Sequence, residues 1–200
     1  MEGFGETRQV GLSDLRKTIT EAFLLAVELK DTQTASHLLR VQKLSHALCK
    51  KLSLSSDLIL KISTAALLHD VGKMALPDSI LKKTTSLDLY ERQLLELHVD
   101  WGYQMVSQFP DLEFEAKLLR SHHEWWNGHG YCQKLKAEQI PIGARIIAIA
   151  DAYDAIVSER SYKPSYSHHF ALQKLIEASG SQFDPLIVSV FADMIFHQDA

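Results

Sequence analysis

The sequence predicts an all-α fold, a single compact helical bundle, and three observations carry that expectation. Apolar residues recur at helical spacing in nearly every segment, no stretch alternates with a period of two over a useful length, and Ser, Asp, Pro and Gly clusters punctuate the periodic runs. The 200 residues and 46% hydrophobic content suit one domain with a real core.

Taken in order, residues 1–12 read as an N-terminal extension and 13–200 as the helical domain. Ser13 is a plausible N-cap, followed by a stripe of Leu15, Ile19, Phe23 and Val27. Asp31 opens a second helix with Val41, Leu44 and Leu48 on its apolar face. Ser55, Ser56 and Asp57 cap a third that runs through Ile59, Ile62 and Ala66 to His69 and Asp70. Pro77 and Lys82–Ser86 mark an irregular connection, and Asp88 with Glu91 forms a capping-box pattern opening a helix to about Gln108. A shorter helix from Leu112 to about Glu124 leads into the longest irregular stretch, residues 125–139. Pro141 suits the first turn of the next helix, whose Ile146, Ile147 and Ile149 are too uniformly apolar for a surface. Helices near Ser167–Ala178 and Pro185–His197 close the chain.

Composition excludes several function classes. No apolar run reaches the roughly 20 residues of a membrane span, and MEGFGETRQVGL lacks the plan of a signal peptide, so a cytoplasmic location without membrane attachment is expected. Cys49 and Cys132 stand far apart without a CxxC partner, which supports neither a disulfide framework nor a zinc ribbon. A net charge of −4 argues against sequence-independent DNA or RNA binding. The stretch before Ser13 is too short for a preceding sensory domain, so the expectation is a protein that acts alone or through a partner, or else an excised domain.

The chemistry concentrates at AALLHDVGK, residues 65–73. A helix delivers His69 and Asp70 side by side, then breaks at Gly72 and presents Lys73. An imidazole offers a metal one nitrogen, whereas a carboxylate has two oxygens and can bridge two cations. His37, His98, His122, His123 and Asp151 also have ligand chemistry, and taken singly each has an ordinary alternative as a solvated or core residue. Asp151 follows the buried run Ile146–Ala150 and calls for a positive partner. Adjacent imidazoles at His122 and His123 suit one metal where a helix unwinds.

The order H…HD…H…HH…D, with HDVGK at 69–73, HHEWWNGHGYC at 122–132, IPIGARIIAIADAYDAI at 140–156, RSYK at 160–163 and GSQFDP at 180–185, resembles the HD-GYP family of HD metal-dependent phosphohydrolases, from about Asp31 to Phe191. The resemblance implies hydrolysis of cyclic di-GMP to linear pGpG, with a further step to GMP, by hydroxide activated between two divalent transition metals. It implies one metal on His37, His69, Asp70 and Asp151 and a second on Asp70, His98, His122 and His123. Imidazole and carboxylate donors without thiolate suit iron or manganese. Lys73, Arg160 and Lys163 align with phosphate-contacting positions and Tyr131 belongs to the loop that names the family, while Asp154, one helical turn beyond Asp151, is placed to orient a ligand or the water.

That loop departs from the pattern. Cys132 stands for the family's Pro, Asn127 for its Asp, His129 for a small residue, and Lys134 and Ala137 for later glycines. Gln33 replaces the Glu that supports a third metal in some members, so two metals are expected. The altered loop supports an alternative: a catalytically weak or inactive nucleotide sensor that binds a signalling protein through residues 125–139, or a phosphohydrolase acting on another cyclic dinucleotide or a nucleoside phosphate. Trp125 and Trp126 beside the helix end are expected in the core.

Overall fold

A computed structural model describes residues 12–158 and 165–197, and among these every regular element is helical. The long helices are α1 (Leu12–Lys30), α2 (Thr32–Lys51) and α3 (Ser56–Leu68). A 3-10 turn, Val71–Ala75, and a one-turn α4 (Asp78–Leu81) follow, then α5 (Leu89–Glu96), α6 (His98–Val106) and α7 (Glu113–Ser121). After the 125–139 loop come α8 (Ile142–Val157), α9 (His168–Glu177) and α10 (Pro185–Phe196). No helix among the described residues is long and apolar enough to cross a membrane.

Local chemistry starts these helices where expected. Asp31 accepts from the backbone N–H of Gln33 and Thr34, Ser55 from that of Leu58, and Asp88 and Glu91 form a reciprocal capping box. Helix α2 lies at the centre, packed against α1, α3, α8 and α10. Its Leu38, Val41 and Leu48 are fully buried with Ile62, Leu119, Ile146, Ile147, Ile149 and Phe191. Each such side chain contributes roughly 1.5–3 kcal/mol of burial.

Four expectations need correction. Helix α1 already includes Ser13, so the chain turns helical before that residue. Leu15 is 43% exposed while Val27 is 3% exposed. A stripe taken every fourth residue drifts about 40° per step, so three steps carry Leu15 off the face that Val27 occupies. The helix expected from Asp88 to about Gln108 divides at Leu97: the Leu97 N–H bonds Leu94 O at 3.3 Å, and the Leu95 carbonyl accepts from His98 Nδ1 at 2.6 Å. Trp125 is 38% exposed rather than core and lines a surface cleft with Ile156, Leu175 and Phe183, and Trp126 is half-buried with the Arg145 guanidinium 5.6 Å from its ring.

Candidate metal centre

Five segments converge on one buried point. His37 sits in the second turn of α2, and His69 ends α3 with Asp70 immediately after it. His98 occupies the break between α5 and α6, His122 and His123 end α7, and Asp151 lies in the middle of α8. The close approach that joins two of these segments depends on Gly72. A Cβ there would lie 1.9 Å from His98 O and 2.6 Å from Gly102 N, so only glycine lets the 71–75 turn lie on the start of α6.

Asp70, 2% exposed, is the hub. Its Oδ2 lies 4.0 Å from His37 Nε2 and 3.5 Å from His69 Nε2, while its Oδ1 lies 3.2 Å from His98 Nε2. Asp151 Oδ1 is 3.0 Å from His37 Nε2. His98, His122 and His123 offer nitrogens within 4.8 Å of one another, as do His37, His69 and Asp70 with their ligand atoms. The carboxylate thus turns one oxygen toward each group.

The imidazoles are held in one tautomer by the helix ends. His69 Nδ1 bonds Ala66 O at 2.8 Å, His98 Nδ1 bonds Leu95 O at 2.6 Å and His122 Nδ1 bonds Leu119 O at 2.7 Å. Each carbonyl lies three residues back, where the ending helix leaves it free, and a carbonyl only accepts. Nδ1 must therefore carry the hydrogen, and Nε2 of the neutral ring presents a lone pair. Nε2 of His69, His98 and His122 and Oδ1 of Asp70 are all buried without a hydrogen bond. Four converging acceptors of this kind cost about 1–3 kcal/mol each if left unmet, and two cations, one for each group, would satisfy all of them. The donor set fits a metal pair.

Electrostatics agree with that reading. Burial and the neighbouring imidazoles push His122 well below the ordinary histidine value and His123 to about 3, and burial lowers His69, so these rings are neutral at pH 7. Burial opposes ionisation of Asp70, yet Lys73 and His69 hold its carboxyl well below the usual range. His37 goes the other way: against burial, Asp151 and Asp154 raise it to about 9. Asp154 is not among the cluster's inward-facing donors. Its Oδ2 accepts from His37 Nδ1 at 2.7 Å, behind the ring, and so fixes the orientation of the imidazole.

Of the remaining expected site residues, Lys73 places Nζ 2.6 Å from Asp70 Oδ2. Tyr131 stacks on His123, centroids 4.9 Å apart at 28°. Gly130 permits this, since a Cβ there would meet Trp125 N at 2.2 Å as the loop folds back on His123. Arg160 and Lys163 lie outside the described residues. Sequence reading passed over Arg40, Lys83, Thr84 and Thr85, which line a cleft of about 440 Å³ opening on Asp70 and Lys73. The signal available for Arg40 was its place three residues after His37, on the same side of one helix.

The family model described as "HD domain" matches residues 22–187. A 3'3'-cGAMP-specific phosphodiesterase 2 from Vibrio cholerae is 34% identical over 185 residues, covering 90% of this chain and 35% of that protein. A cyclic di-GMP phosphodiesterase from the same organism is 36% identical over 181 residues, covering 82% and 36%. The chain therefore spans about a third of the length of these relatives. A crystal structure of a V. cholerae cyclic GMP-AMP-specific phosphodiesterase superposes with a TM-score of 0.69 at 22% identity, over 90% of this chain and 49% of that one, and shares the fold. With the model match running through most of its length and the HD pair at its buried hub, the chain belongs to the HD domain family.

Proposed function

We propose that this chain is a metal-dependent phosphodiesterase that opens cyclic di-GMP to linear pGpG and, on a second cleavage, to GMP, acting in the cytoplasm. The observation that supports it best is Asp70, whose two oxygens face two separate groups of imidazole nitrogens, those of His69, His98 and His122 without a hydrogen bond. One metal is assigned to His37, His69, Asp70 and Asp151, the other to Asp70, His98, His122 and His123. The oxygen and nitrogen donors, with no thiolate, suit iron or manganese. When bound, such a pair supplies Lewis acidity toward a phosphoryl oxygen and a water of lowered pKa as nucleophile.

The chain's own residues do the rest. Lys73 projects from beside Asp70 into the cleft and offers a fixed positive charge to a phosphate there. Arg160 and Lys163 are assigned the same role. Asp154 holds His37 by Nδ1, so that Nε2 faces Asp151 and Asp70. Tyr131, flat against His123, closes one side of the site, and the exposed Trp125 of the 125–139 loop offers a contact for a signalling partner.

A second reading keeps the chemistry and widens the substrate. The relative named for 3'3'-cGAMP is as similar to this chain as the one named for cyclic di-GMP, which favours cyclic dinucleotides as the class. The test is metal content of anaerobically purified protein followed by turnover of both dinucleotides. About two metals per chain with turnover lost in Asp70→Asn is the expected result. Two metals without turnover of either substrate would leave a sensor, and little metal would overturn the ligand assignment.

A further inference from the structure

The metal ligands and Lys73 account for only one end of the 440 Å³ cleft, which is within the range of small-ligand sites. From Asp70 it runs beside α2 to Ser36 and Arg40, with Ile80, Leu81 and Leu87 as an aliphatic wall. Among the described residues no Phe, Tyr or Trp lines it and His37 is its one ring, so a base seated there is distinguished chiefly by its edge.

Arg40 is the side chain prepared for that task. Its Nε donates to Asp154 Oδ1 at 2.6 Å and its Nη2 to Asp154 Oδ2 at 3.0 Å, which fixes the guanidinium plane. The side chain is still 44% exposed, and its Nη1 makes no hydrogen bond among the described residues. A guanidinium has donors only. Guanine offers two adjacent acceptors, N7 and O6, whereas adenine offers one acceptor and one donor in the same places.

We propose that Arg40, anchored by Asp154, reads the guanine edge of a nucleotide in this cleft and gives the site a preference for guanine over adenine. This rests on the cyclic dinucleotide reading above. Arginine also pairs with phosphate, but Lys73 already stands at the end of the cleft beside Asp70, and a phosphate contact would not discriminate between bases.

The test is calorimetric binding of GMP and AMP, which contain no diester to cleave, to the protein as purified and to Arg40→Gln and Arg40→Lys variants, with metal content measured on each. The wild type is expected to favour GMP roughly ten- to hundredfold. Arg40→Gln, whose amide pairs one donor with one acceptor, should abolish or invert that preference without weakening AMP binding. Arg40→Lys, with a single point donor, should fall between. Equal binding of GMP and AMP by the wild type, or equal losses for both in Arg40→Gln, would overturn the inference and identify Arg40 as a phosphate contact or a support for Asp154. Wild-type turnover of cyclic di-GMP is read separately. If cyclic di-GMP and cyclic di-AMP are hydrolysed at equal kcat/KM, the base preference is refuted while the phosphodiesterase stands, whereas absence of turnover with two metals bound refutes the latter alone.

Discussion

Asp70 Oδ1 and His98 Nε2 lie 3.2 Å apart in the buried centre of the fold, and neither makes a hydrogen bond. With the His98 Nδ1–H taken by the Leu95 carbonyl, two lone pairs face each other across that gap. A cation converts the repulsion into shared coordination. Chelation should therefore lower Tm, and manganese at a hundredfold over its Kd should restore about 2.7 kcal/mol. Asp70→Asn should lose most of that response and hold one metal or none. Melting curves with and without manganese, alongside elemental analysis, check this; an Asp70→Asn protein with two metals would exclude the bridge.

Gly72 controls the same approach from the backbone. Gly72→Ala places a methyl group 1.9 Å from His98 O, against backbone rather than a side chain that can swing away. The 71–75 turn and α6 must separate, at a cost of about 1–3 kcal/mol or more. Urea unfolding should show that loss, and metal titration should show the His98, His122 and His123 site weakened more than the His37 site. Equal weakening of both would point to a general loss of fold.

Much of this was legible in the sequence because helix signals are local. Asp31, Ser55 and the Asp88 and Glu91 pair start their helices by hydrogen bonds that span two or three residues. The residue types of the candidate site were legible for the same reason, since His69 with Asp70 and His122 with His123 are neighbours in the chain. Their convergence is not a local property, and it entered through resemblance to a family. The break at Leu97 escaped because Leu94 to Trp101 reads as one continuous helix; what divides it is a side-chain bond from His98. Arg40 escaped because its partner Asp154 is 114 residues away.

Asp154 should act on the metal centre without being a ligand. Its carboxylate fixes His37 through Nδ1 at 2.7 Å. Asp154→Asn keeps the shape but loses the charge, and loss of such a support typically weakens metal binding ten- to hundredfold. The site containing His37 should weaken by about that factor while the His98 site holds, as resolved by a two-site metal titration. Unchanged affinity at both sites would reduce Asp154 to a partner for Arg40.

A prediction remote from the metals tests how α1 is fastened to the bundle. Glu115 on α7 is fully buried, and Arg16 on α1 meets its Oε1 at 2.5 Å while donating to Asp111 O at 2.8 Å. Burial raises the Glu115 carboxyl above its ordinary 4.5, with Arg16 opposing. The native state thus takes up this proton at higher pH than the unfolded chain, so the contribution to stability is fully present below about pH 4.5 and falls as pH rises through the native value. Arg16→Met removes the opposing charge and raises that value further. The variant should lose about 3–5 kcal/mol near pH 8, toward the lower figure because Arg16 is 19% exposed. Toward about pH 5, where the isolated carboxyl is protonated, the deficit should shrink. Adding Glu115→Gln should recover much of the loss and flatten its pH dependence, because no buried charge then remains. Urea unfolding across that range checks both variants, and a deficit in Arg16→Met that stayed constant with pH would show that packing of the arginine stem, not its charge, fastens α1.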